Sequence, residues 1–136
     1  MAVTANSIIT PQTPKSAVVN TATAQATFPP TTSPSNTVLL LTAGSNGGRL
    51  TKLHACPQET TTANNVQLYR SLDGGATKFY VNGVTLTATV SATAAGAFAD
   101  LGYSDDNPLI LSASERLYVA VGVAKSVNFE AEWADY

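Results

Sequence analysis

Asn65-Val66-Gln67-Leu68-Tyr69-Arg70-Ser71-Leu72-Asp73-Gly74-Gly75-Ala76-Thr77-Lys78-Phe79-Tyr80-Val81 reads as two β-strands joined by a turn. Val66, Leu68 and Arg70 alternate with Gln67, Tyr69 and Ser71, and beyond the turn Phe79 and Val81 alternate with Lys78 and Tyr80. Strand side chains point to opposite faces every second residue, so each arm has one apolar and one wet face. Asp73-Gly74-Gly75 supplies the positive-φ conformations that a chain reversal needs. The hairpin marks a β protein and contains no catalytic chemistry.

Working outward toward the C-terminus, Asn82-Gly83 is a second hairpin signal. Val84, Leu86, Ala88 and Val90 then alternate with threonines and Ser91, a pattern that sorts onto the two faces of a strand and not of a helix. Residues 91–108 read as a loop of small residues anchored by Phe98, Leu101 and Tyr103, followed by a short strand over 109–111. Leu117, Val119, Val121 and Val123 alternate with Tyr118, Ala120, Gly122 and Ala124. After a tight turn at Lys125-Ser126, Val127, Phe129, Ala131 and Trp133 alternate with Asn128, Glu130 and Glu132.

Toward the N-terminus, the apolar run Val38–Ala43 predicts a strand buried on both faces. Ser45-Asn46-Gly47-Gly48 turns the chain into a strand over 49–55 with Lys52 and His54 on its wet face. Leu50 breaks that alternation, which a bulge accommodates. The pattern predicts an all-β fold, an antiparallel β-sandwich or jelly roll of about eight strands. Its predicted core holds Val66, Leu68, Phe79, Val84, Leu86, Leu117, Val119, Val121, Phe129 and Trp133.

Residues 1–36 form a distinct segment with Pro11, Pro14, Pro29, Pro30 and Pro34, read as an extended Pro/Thr-rich arm ahead of a body over 37–136. The prolines exclude a long helix and interrupt a sheet ladder, although a strand over about 17–26 fits. With few apolar residues of its own, the arm is expected to lie on neighbouring subunits through Ile8, Ile9, Pro11, Val18 and Val19, or else on its own domain.

The chain has 136 residues, 44% hydrophobic and only 12% charged. That charged share is about half the usual one, so the surface is inexpensive to desolvate and suits lasting contact with other subunits. Net charge is −2 with no basic cluster, which argues against nucleic acid as a partner. The longest strongly apolar run, Val38–Leu41, is too short to span a membrane. No apolar stretch precedes Lys15 in the manner of a secretory signal, so synthesis and residence in a cytoplasm are expected. Cys56 is the single cysteine, so there is no disulfide framework.

Several residues bear chemistry. His54 and Cys56 share a strand face, but two ligands do not make a zinc site. Asp100, Asp105, Asp106 and Asn107 are the oxygen-rich residues of one loop, without a calcium-loop spacing. Glu130 and Glu132 point the same way with Asp135 nearby, which is the raw material of a glycosidase pair but also of a solvated strand face. No catalytic set, cofactor site or metal site is assigned. Tyr69, Tyr80 and Tyr118 are placed on wet faces, as an interface patch or a sugar-binding platform.

Four stretches resemble a family of small tailed-bacteriophage and prophage proteins. They are Thr4-Ala5-Asn6-Ser7-Ile8-Ile9-Thr10-Pro11-Gln12, Gln67 through Lys78, Leu117-Tyr118-Val119-Ala120-Val121-Gly122-Val123-Ala124, and Glu130-Ala131-Glu132-Trp133-Ala134-Asp135-Tyr136. By analogy with small β-sandwich virion proteins, the resemblance implies capsid decoration. A protein of that kind sits on the outer capsid surface, often as a trimer at local threefold positions, and clamps subunits of the major capsid protein. It is made in the host bacterial cytoplasm and needs no cofactor. A tail, collar or fibre-base module is the second reading, and a carbohydrate-binding module using the tyrosines is the third.

Overall fold

The central hairpin forms because its two arms have the β-branched and aromatic residues that pack on a pleated surface and its turn has the glycines. The computed structural model describes residues 10–27, 31–88 and 98–136. Nine strands make up its regular structure: β1 (Thr13–Thr21), β2 (Val38–Thr42), β3 (Gly48–Pro57), β4 (Asn64–Ser71), β5 (Phe79–Leu86), β6 (Ala99–Asp100), β7 (Leu109–Leu111), β8 (Arg116–Val121) and β9 (Val127–Asp135). One sheet runs β1-β9-β3-β6 with β7 also on β3, and the other runs β2-β8-β4-β5. Every ladder is antiparallel. The two sheets enclose a single core and make a β-sandwich.

The chain crosses from one sheet to the other at most connections. β8 and β9 therefore lie in opposite sheets, and the turn expected at Lys125-Ser126 is a crossing between layers rather than a hairpin. The inward-facing sets of β8 and β9, Leu117, Val119, Val121, Val127, Phe129, Ala131 and Trp133, meet Val66, Leu68 and Leu86 from the hairpin. At about 25 cal/mol per Å² of apolar surface removed from water, this cluster is the main stabilising contribution.

Bulges account for the places where alternation fails. The β3–β9 register shifts between Leu50 and Lys52, so Leu50 and Leu53 both reach the core and Thr51 is the extra residue. A shift between Leu39 and Leu41 does the same for β2: Leu40 and Leu41 are both buried while Leu39 is exposed. β2 is thus not buried on both faces, which corrects the reading of its apolar run.

Two expectations for the hairpin fail for a related reason. Asn82-Gly83 is not a turn, because β5 continues through it to Leu86. A Cβ at Gly83 would collide with the Tyr80 hydroxyl and the Val66 carbonyl, so glycine is needed there for close approach and not for reversal. The β4–β5 register also shifts between Leu68 and Tyr69, leaving Val81 as the extra residue. Phe79, expected in the core, is 53% exposed. Val90, at the end of the predicted strand, lies outside the described residues.

The described part of the N-terminal arm belongs to the body. β1 pairs with β9 along its whole length, from Thr13 opposite Asp135 to Thr21 opposite Val127. Ala17 and Val19 pack on the core, which explains why apolar residues recur in a Pro/Thr-rich segment. The described chain after β1 stays on the sandwich. Gln25 N donates to the Val121 carbonyl (2.7 Å), Gln67 Nε2 to the Gln25 carbonyl (3.3 Å), and Lys78 N to the Thr32 carbonyl (2.9 Å). A division at residue 36 would separate β1 from its own sheet.

Candidate interaction surface

The loop that joins β4 to β5 is built around Asp73. Its carboxylate accepts from Thr77 N (2.9 and 3.1 Å), the Thr77 hydroxyl (2.6 Å) and the Ser71 hydroxyl (2.9 Å). The Thr77 and Ser71 hydrogen bonds pull its pKa down to about 2. The backbone is closed by Gly74 and Gly75, both at positive φ, and Arg116 Nη1 holds the Gly74 carbonyl at 2.6 Å. The Lys78 ammonium sits 4.9 Å from the Tyr118 ring centroid. Each of these contacts fixes the loop without covering its apolar residues. Leu72 is 70% exposed, and Phe79 and Val81 (43%) extend the apolar set into β5, which among the described residues pairs only with β4.

The three tyrosines do lie in one row across the second sheet, since Tyr118 is opposite Tyr69 and Tyr69 opposite Tyr80. The row is not a wet platform. Tyr69 is fully buried, with its hydroxyl on Gln67 Oε1 and its ring 5.7 Å from that of Tyr80. Burial, with Tyr80 adding to it, pushes its pKa up to about 12. Tyr80 and Tyr118 are half-buried. The hydrogen bonds from Gln67 and Lys78 to the chain between β1 and β2 show why this outer face is closed to water.

The other chemistry-bearing residues do not converge. Lys52 Nζ lies between Glu130 (2.8 Å) and Glu132 (3.1 Å), and its hydrogen bond holds the Glu130 carboxyl below the usual range, the opposite of what a general acid needs. Asp135 faces away from this pair and meets Lys15 Nζ at 2.6 Å. His54 Nε2 is 3.5 Å from Asp100 Oδ2, beside the ring of Phe98. Cys56 is a half-buried thiol. Asp105 contributes its backbone carbonyl to Arg49 Nη2 (2.8 Å), and Asn107 bonds back to Ser104 and Gly102. Among the described residues no three His, Cys, Asp or Glu side chains are placed to hold a metal ion. Of the expected arm contacts, Val19 is held by its own core, Pro11 is half-buried, Val18 stands out at 66% exposure, and Ile8 and Ile9 lie outside the described residues.

Comparison of the chain with protein families, curated proteins and solved structures finds no match.

One internal feature escaped the sequence reading. Glu115 is fully buried at one end of the sandwich, where its carboxylate takes a two-pronged grip from Arg70: Nε on Oε1, and Nη2 on Oε2 at 2.8 Å. Ser112 N donates to the same carboxylate at 2.7 Å. The signal was Arg70 itself, a cation on the inward face of the strand Val66-Leu68-Arg70, which calls for a buried acceptor.

Proposed function

We propose that this chain is a structural virion protein that decorates and stabilises a bacteriophage capsid by binding its major capsid protein subunits from outside. The observation that carries the reading is the hairpin tip: a loop fixed by Asp73 that holds Leu72 in solvent, with Phe79 and Val81 exposed at the start of β5 beside it. A pre-organised apolar projection loses little conformational entropy when it docks, and three large apolar residues left in water on one hairpin suit such docking. The loop with Leu72 also falls in one of the stretches that resemble the virion family, Gln67 through Lys78, and Phe79 and Val81 follow directly after it. A shell repeats each contact many times, so modest binding per copy adds up to a large effect on the particle.

The test is to add wild-type protein and the Leu72→Asp/Phe79→Asp variant to particles that lack it. Both residues are exposed, so the variant keeps its fold. The expected result is at least tenfold lower occupancy at equal protein concentration, with loss of the heat resistance that the wild type confers. Equal occupancy and protection would overturn the hairpin as the contact. A handful of copies per particle rather than hundreds would point to the tail, collar or fibre base instead.

A further inference from the structure

Among the described residues the sandwich has several strand edges, and all but one are blunted. β2 has five residues and a bulge, β5 is bulged at Val81, and β6 and β7 have two and three residues. Short length and bulges are the usual devices that keep edges from pairing with other chains. β1 has neither. Its nine residues keep one unbroken register with β9, and among the described residues no strand lies on its outer side. Pro14 and Lys15 guard only one end, and Lys15 is already tied to Asp135. The remaining run, Ser16-Ala17-Val18-Val19-Asn20-Thr21, has no proline and no charge.

We infer that the outer edge of β1 pairs with β1 of a second copy of this chain, antiparallel about a twofold axis through Val18. The register is self-complementary. Val18 faces its own counterpart, Ala17 faces Val19, Ser16 faces Asn20, and Lys15 faces Thr21, so no like charges oppose each other. Val18, 66% exposed in the single chain, is covered on the outer face. Ala17 and Val19, half-covered at the sandwich margin, meet their counterparts on the inner face and extend the core. The first sheet of one copy continues into that of the other through backbone hydrogen bonds, the mode by which exposed edges recruit strands. Such an interface is isologous and closes at two copies, which distinguishes it from the threefold arrangement that the resemblance implies. It uses a different surface from the hairpin tip and does not depend on the capsid reading.

Sedimentation of the full chain over a range of concentrations tests it, alongside Val18→Lys, Val18→Cys and Ser16→Cys. The wild type is expected to go from monomer to dimer as concentration rises. Val18→Lys sets two ammonium groups directly opposite and should raise the concentration needed for dimer at least tenfold. Under oxidation Val18→Cys should form a disulfide-linked dimer above the background of Cys56 in the wild type. Ser16→Cys should not, because its counterpart lies four residues away along the strand, about 13 Å. A wild type that stays monomeric or forms trimers would overturn the inference. So would a Val18→Lys variant that dimerises as the wild type does, or Ser16→Cys cross-linking as readily as Val18→Cys.

Discussion

Glu115 and Asp73 are both carboxylates in loops next to strands, and their surroundings give them opposite roles. Glu115 has no solvent access and is held by Arg70 and Ser112. Its partner Arg70 is partly exposed and can turn to water, so Glu115→Ala is expected to cost about 1–3 kcal/mol, for the lost charged hydrogen bonds and the Ser112 N–H left without its acceptor. A urea titration that shows a lower midpoint with an unchanged slope checks this. Asp73 is solvent-facing, and its effect is local. Its folded pKa of about 2 lies below the ordinary 3.8, so its contribution to loop stability is complete above about pH 4 and fades as pH falls through about 2. An NMR titration of the Asp73 carboxyl carbon should give a midpoint near 2 in the wild type and a higher one in Thr77→Val. A wild-type midpoint near 3.8 would mean that the loop is not held as described.

At the scale of elements, alternation identified most strands, because a strand with one dry face states its orientation residue by residue. The wet side of β9 (Glu130, Glu132) and its dry side (Phe129, Trp133) were legible for this reason. Where both faces of a strand are covered, the pattern misleads. β4 has Gln67 and Tyr69 buried on its outer side as completely as Val66 and Leu68 on its inner side. Burial there depends on chain some forty residues earlier, and no local period encodes it. Asn82-Gly83 misled because a glycine required by a neighbouring ring looks the same in sequence as one required by a turn. The arm was the largest such case: β1 is a strand because β9 offers it an edge. Deleting residues 2–30 should therefore not leave an intact body. It removes an edge strand and bares the flank of Phe129 and Ala131, and thermal denaturation is expected to show a midpoint many degrees lower. An unchanged midpoint would show that β1 contributes nothing to the sheet.

For the whole molecule, the candidate surface was only half legible. The aromatic row was visible in sequence, but its exposure was not, and the exposed apolar residues of the hairpin include Leu72, placed in the turn, Phe79, placed in the core, and Val81, placed on the apolar face of its strand. Bulges and layer crossings decide which side of a strand meets water, and both are properties of the assembled sandwich. The placement of β1 has one more consequence, and it is mechanical. Thr13 lies opposite Asp135, and Gln12 N donates to the Asp135 carbonyl at 2.8 Å, so the start of the first strand and the end of the last sit side by side. Tension applied between Gln12 and Tyr136 loads that ladder from one end, and its rungs give way one after another instead of sharing the strain. The protein should peel open at low force when drawn by these two points, while the same sheet, gripped through the opposite ends of β3 and β9, would resist in shear.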